Sequence, residues 1–108
     1  MNNRRIKVLH VIPQLSARIG GPAVSVVESS LALRDHGIGT TIFATDMAGA
    51  LSARAHRPVT TDDLPSGADS LDVRLFPARW PQRWAFAPSM YAELGREIAR
   101  CDVVHIHM

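Results

Sequence analysis

Short apolar runs in this chain alternate with longer stretches in which apolar residues recur every three or four positions. Residues 5–12 are rich in Val, Ile and Leu without strict alternation, a pattern typical of a strand that is covered on both faces. Pro13 cannot donate to a sheet ladder and is expected to end this strand. Further β-branched or alternating runs predict strands over residues 38–45, 71–76 and 103–107.

Two periodic stretches predict helices between these strands. Pro22 suits the first helical position, where its missing N–H costs nothing, and Gly37 suits a left-handed stop about four turns later. The second helix is expected to begin at Pro88. The buried stripes are predicted to contain Val24, Val27 and Leu31 in the first helix, and Met90, Leu94 and Ile98 in the second.

The order strand–helix–strand–loop–strand–helix–strand predicts an α/β fold with a Rossmann-like, doubly wound parallel sheet. In the common arrangement the strand order is 3-2-1-4 and helices cover both faces. Ligands then bind at the carboxyl ends of strands 1 and 4, where the order reverses. Residues 46–70, which are rich in small and polar residues, are expected to be mostly loop, with a short helix over residues 50–56.

Composition narrows the class of protein further. The chain has 108 residues, 46% hydrophobic and 20% charged, which is enough for one domain with a buried core. A net charge of +2 without a dense basic run gives little support for nucleic-acid binding. The single cysteine, Cys101, excludes an internal disulfide framework, suits a reducing compartment and is expected to be a buried, unreactive thiol. No apolar run approaches the ~20 residues of a membrane span, and we expect a cytoplasmic protein.

Candidate chemistry gathers at the predicted crevice. Gly20 and Gly21 stand before the first helix, where they form either a backbone cradle for a phosphate or sugar or a simple turn into the helix. His105 and His107 share one face of strand 4. His107, at the mouth of the strand, is better placed than His105 to meet solvent and is a candidate base or hydroxyl-orienting group. The pair could suggest a metal site, but no Cys, Asp or Glu stands at ligand spacing, so none is expected.

Other residues are weaker candidates. Gln14 and Ser16 follow strand 1 and are expected to reach the crevice, whereas His10 is expected to be structural. Asp46, after strand 2, could hold the ribose of NAD, but the G-x-G-x-x-G fingerprint is missing after strand 1. An aromatic and basic patch is either an acceptor- or membrane-facing surface or packing beneath a loop. It comprises Trp80, Arg83, Trp84 and Phe86.

Four stretches, taken in order, resemble one protein family. They are IKVLHV at residues 6–11, GGP at 20–22, LALRDHG at 31–37 and DVVHIH at 102–107. Together they are similar to the N-terminal domain of family 4, GT-B fold retaining glycosyltransferases, and the last stretch is the most specific. The resemblance spans nearly the whole chain, although residues 46–70 match only in being variable.

The resemblance implies a two-domain enzyme that moves a sugar from a nucleotide-sugar donor to a hydroxyl acceptor, with no metal or other cofactor required. In this family the glycine loop approaches the donor diphosphate. The resemblance therefore implies that Gly20 and Gly21 have this role here. The second histidine of the family's strand-4 motif lies near the transferred sugar. The resemblance therefore implies that His107 is the catalytic candidate. The acceptor side is assigned to Gln14, Ser16 and His105.

The chain departs from the family pattern. The donor-binding domain with its Glu-x7-Glu motif is absent, and Met108 stands where the family usually has Gly or another small or acidic residue. We therefore expect residues 1–108 to be a partial acceptor-side domain, inactive alone, whose partners are the missing C-terminal domain and, as an option, the inner face of a membrane. Two alternatives stay open: a stand-alone Rossmann-like binding or interaction module, and half of an NAD(P)-dependent oxidoreductase.

Overall fold

The computed structural model describes residues 5–15, 21–45, 64–77 and 87–107. In these ranges the elements are β1 (Lys7–Gln14), α1 (Gly21–Asp35), β2 (Gly39–Thr45), β3 (Asp72–Phe76), α2 (Pro88–Ile98) and β4 (Val103–Ile106). A turn of 3-10 helix, Ala68–Ser70, precedes β3. The predicted order of strands and α-helices is confirmed, whereas the predicted helix over residues 50–56 lies outside the described residues.

The described strands form one parallel sheet in the order β3-β2-β1-β4. The chain passes from β1 to β2 and β3 on one side and then crosses to β4 on the other. The strand order therefore reverses between β1 and β4, which pair from Val8↔Val103 to Val11↔Ile106. The predicted α/β, Rossmann-like arrangement with strand order 3-2-1-4 is confirmed.

Alternate strand residues build two apolar layers, one beneath each helix. Ile42 and Ala44 of β2 face α1, whereas Phe43 faces α2, because successive strand residues point to opposite sides. The layer under α1 contains Ile12, Leu15, Ala23, Val26, Val27, Ile42, Ala44 and Ala68. The layer under α2 contains Leu9, Phe43, Phe76, Ala87 and Met90. Helices therefore cover both faces of the sheet, as predicted.

Pro13 does not end β1, so that prediction is wrong. The strand continues to Gln14, and its register with β2 shifts at Pro13: Ile12 pairs with Ala44, and Gln14 with Thr45. A proline is tolerated at such an irregularity because the extra residue need not donate to the ladder. The Pro13 carbonyl oxygen instead accepts a hydrogen bond from the Thr45 hydroxyl at 2.5 Å. As a result, β1 extends beyond the residues that it pairs with β4.

The buried face of α1 differs in part from the predicted stripe. Val27 is buried as predicted, but Val24 and Leu31 are only partly buried. The buried residues of this helix are Ala23, Val26, Val27 and Ser30. Apolar residues occur on several sides of α1, so their spacing alone does not select the side that packs on the sheet.

In α2 the predicted stripe fails at its last position. Met90 is buried and Leu94 packs against the same layer, but Ile98 is 46% exposed. Glu97 is buried in its place, with its carboxylate 3.5 Å from the guanidinium of Arg74 on β3. A charged residue with a partner on the sheet therefore occupies the inward position that apolar periodicity assigned to its neighbour.

The end of α1 follows the prediction. Gly37 has a φ of +79°, and its N–H donates to the Arg34 carbonyl oxygen at 2.9 Å. The Ile38 N–H donates to the Leu33 carbonyl oxygen at 3.0 Å, which completes a left-handed glycine cap.

The two α-helices of the described ranges are both too short or too polar to cross a bilayer.

Candidate functional site

His107 lies at the edge of the sheet where the strand order reverses. Its backbone N–H donates to the Val11 carbonyl oxygen at 2.8 Å, which continues the pairing of β4 with β1 by one residue. This edge contains the carboxyl ends of both strands, the usual place for ligands in open α/β sheets. His107 is therefore located where the topology argument expected it, and its chemical role stays a prediction.

Three histidine rings meet beside this edge. His10 on β1 is directly opposite His105 on β4, and His107 lies on the same face two residues later. Nδ1 of His10 is 3.1 Å from Nε2 of His107, a hydrogen-bonding distance. The ring centroids are 5.4 Å apart for His10 and His105, 5.3 Å for His10 and His107, and 4.0 Å for His105 and His107. We call His10, His105 and His107 the three-histidine cluster.

Burial is graded across the cluster. His10 is only 4% exposed, His107 is half-buried and His105 is exposed. This order reverses the expectation that His107, rather than His105, would meet solvent. The reason is that β4 is an outer strand of the described sheet, so its middle residues are not covered as those of β1 are.

His10 is the member of the cluster that the sequence analysis left out of the site. Its position in an apolar strand suggested a structural residue, and its burial agrees with that. Nε2 of His10, however, is fully buried and has no hydrogen-bond partner among the described residues. The signal that could have found it is the register: once β1 and β4 are placed side by side, residue 10 falls opposite residue 105.

Burial and neighbouring histidines favour the uncharged form of His10 and His107. Burial, followed by the neighbouring His107 and His105, lowers the pKa of His10 from 6.5 to about 4. Burial and His105 also lower the pKa of His107. At neutral pH the rings of His10 and His107 therefore each carry one N–H donor and one lone pair, and one of the two rings donates to the other across their 3.1 Å contact.

Such an arrangement supports two kinds of chemistry. A neutral imidazole at the mouth of a crevice can accept a proton from a hydroxyl group or orient it. Converging imidazole nitrogens can also ligate a metal ion, because the neutral ring is the form that binds metals. One nitrogen from each of the three rings can be chosen so that all lie within 4.8 Å of one another.

The remaining predicted site residues are less closely defined. Gly21 is the first residue of α1, and a Cβ there would meet no atom within 4 Å, so packing of the described residues does not require a glycine. Gln14 ends β1 at the carboxyl edge of the sheet. The following lie outside the described residues: Ser16, Gly20, Asp46, Trp80, Arg83, Trp84 and Phe86.

Cys101 lies at the opposite, amino-terminal edge of the sheet. It is half-buried, and burial raises the pKa of its thiol, with Glu97 acting in the same direction. A raised pKa keeps the thiol protonated and poorly nucleophilic. The expectation of an unreactive thiol therefore agrees with its surroundings.

Comparison with known proteins does not identify a family for the chain or a role for this site. No protein-family model, no curated protein and no solved structure matches the chain. The resemblance to glycosyltransferases therefore stays a prediction that rests on the four stretches of sequence. The structure itself establishes a Rossmann-like α/β domain with a three-histidine cluster at the reversal of its strand order.

Proposed function

We propose that this chain is the acceptor-side part of a glycosyltransferase, which moves a sugar from a nucleotide-sugar donor to a hydroxyl acceptor. The observation that carries the proposal is the position of His107 at the carboxyl edge of the sheet, beside the end of β1. The most specific family-like stretch, DVVHIH, comprises β4 and this histidine. Sequence resemblance and topology thus select the same residue by separate arguments.

In this proposal His107 contacts the sugar that is transferred. The lowered pKa of His107 leaves its ring neutral at physiological pH, so that it can accept a hydrogen bond or a proton from a hydroxyl group. The exposed His105 contacts the acceptor together with Gln14 and Ser16. Peptide N–H groups at the start of α1 bind the donor diphosphate, because a helix N-terminus favours negative charge.

The nucleotide itself would be held mainly by the second domain that the family pattern implies. The 108 residues would then provide few contacts to the donor and bind it weakly, with a dissociation constant on the order of 1 mM, or about −4 kcal/mol. A cytoplasmic location fits a supply of nucleotide-sugars and belongs to the same proposal.

The proposal can be tested by titrating the 15N-labelled chain with UDP-glucose and GDP-mannose in chelator-treated buffer. We expect amide shifts to change at the start of α1 and at the end of β4. Gly21→Ala is the informative variant: its methyl group meets no atom within 4 Å, so the fold is kept while the approach of a diphosphate is blocked. Binding should weaken by roughly tenfold, the effect of losing one charged hydrogen bond.

Gly95→Ala is the matched control. Gly95 is also a helical glycine with open space at its Cβ, but it lies in α2, on the other face of the sheet. This variant should bind like the unmodified chain. Micromolar affinity, or binding that Gly21→Ala leaves unchanged, would contradict the proposal. Equal binding of NAD would instead favour a general dinucleotide module or an oxidoreductase half.

A further inference from the structure

The three-histidine cluster has the composition and spacing of a metal site. His105 and His107 form a His-x-His pair on one face of β4, and His10 enters from the neighbouring strand in direct register. In the sequence, His105 and His107 alone offered too few ligands for a metal site. The pairing of β4 with β1 adds the imidazole of His10 as a third ligand. Three imidazoles are a known ligand set for catalytic zinc, with the fourth position open.

The distances are close to those that a tetrahedral ion needs. Metal–nitrogen bonds of about 2.0–2.1 Å place two ligand atoms about 3.3 Å apart. Nδ1 of His10 and Nε2 of His107 are already 3.1 Å apart. The widest separation within the ligand set is 4.8 Å, and His105 is exposed, so its ring can turn toward an ion without disturbing the packed layer.

A second observation, a buried nitrogen of His10 without a partner, supports a ligand at this cluster. Nε2 of His10 is buried, neither accepts nor donates a hydrogen bond among the described residues, and belongs to a residue that is only 4% exposed. A buried polar atom without a partner costs about 1–3 kcal/mol. An ion bound to Nε2 of His10 satisfies that atom and removes this cost, and the 3.1 Å contact between Nδ1 of His10 and Nε2 of His107 shows that the two rings are close enough to share one ion.

We propose that His10, His105 and His107 bind one divalent metal ion of the kind that prefers nitrogen ligands, with Zn²⁺ as the first candidate. An all-imidazole set suits Zn²⁺, Cu²⁺, Ni²⁺ and Co²⁺ and disfavours Mg²⁺ and Ca²⁺, which prefer oxygen ligands. The exposed side of the cluster leaves a fourth position for water or a substrate oxygen. The proposal replaces the sequence-based expectation of no metal, and it does not depend on the proposed glycosyltransferase function.

The site can be tested on the purified chain after chelator treatment and dialysis. Co²⁺ is added as a spectroscopic probe, and Zn²⁺ is titrated by calorimetry and by displacement of Co²⁺. We expect one ion per chain, the visible absorption of tetrahedral Co²⁺, and no comparable binding of Mg²⁺. His105→Ala, at an exposed position, should retain the fold and weaken binding by more than the roughly 10- to 100-fold typical of losing an outer-shell partner.

Two further variants keep the test decisive. His10→Phe replaces the buried ring with one of similar size and should also abolish the Co²⁺ spectrum, with far-UV circular dichroism as the check on folding. His36→Ala, which removes an exposed histidine at the end of α1, should leave binding unchanged. Absence of stoichiometric binding, or binding that survives His105→Ala, would overturn the site. Because the nucleotide-sugar titration is done with chelator and this one without nucleotide, the two proposals can fail separately.

Discussion

Acidification should destabilise the folded chain through His10. Above pH 6.5 the ring is neutral in both the folded and the unfolded chain, and its burial has no electrostatic cost. Below pH 6.5 the unfolded chain takes up a proton that the folded chain excludes until about pH 4, because the ring is buried and faces His107 and His105. The stability that the neutral ring preserves is therefore lost as the pH falls from 6.5 to 4.

The size of this loss follows from the pKa difference. Each pKa unit corresponds to about 1.4 kcal/mol, so a fall from 6.5 to about 4 sets a ceiling of about 3 kcal/mol. At pH 5 the expected loss relative to pH 8 is about 2 kcal/mol. Against a typical domain stability of about 5–15 kcal/mol this is a large and measurable change.

The assay is urea unfolding of the metal-free chain, followed by far-UV circular dichroism at pH 8, 6.5 and 5. The unmodified chain should lose about 2 kcal/mol more than His10→Gln, which lacks the titrating ring but keeps polar atoms. His36→Gln, which removes an exposed histidine, serves as the control. If His10→Gln has the same pH dependence as the unmodified chain, the ring is not excluded from protonation and the argument from burial is wrong.

Three substitutions test the packing of the fold by urea unfolding. Gly67→Ala should cost about 1–2 kcal/mol, because Gly67 has a φ of +92° and an added Cβ would lie 2.8 Å from Leu31 Cδ1. Its control, Gly95→Ala, lies within α2 with open space at the Cβ and should instead stabilise the chain by up to about 1 kcal/mol. Phe43→Ala should cost about 3–5 kcal/mol, since this ring is fully buried in the layer under α2, and a loss below 1 kcal/mol would contradict that layer. Asp102→Ala should cost about 1 kcal/mol, because its carboxylate accepts the first backbone N–H of β1 at 2.9 Å; an unchanged midpoint would show that water replaces it.

Much of the architecture was predictable because the strands and helices have local signals in the sequence. Runs of β-branched residues give the strands, and Gly37 ends α1 with the positive φ that glycine allows. The alternation of strands and helices, with the right-handed crossover that parallel strands require, then favours a doubly wound arrangement. Pro13 was misjudged because a ladder irregularity, which depends on the neighbouring strand, can accommodate a proline within β1.

The candidate site was predictable only in part. The alternation within β4 correctly put His105 and His107 on one face. The role of His10 depends on which residue of β4 stands beside it, and no local pattern encodes that pairing. The exposure of His105 likewise depends on what covers the strand, which is a property of the assembled sheet.

The pairing of β1 with β4 also has a consequence for the order of folding. His10 and His107 are 97 positions apart, so β1 gains this neighbour only after the chain has been made as far as β4. During synthesis β1 emerges before the other described strands and can pair with β2 early. Its other edge can pair only after residues 103–106 have been made. Parallel contacts of such long range form slowly, because a long loop must close before they stabilise anything. The meeting of the three imidazoles therefore follows the pairing of β1 with β2, and a probe bound to them would report the pairing of β1 with β4.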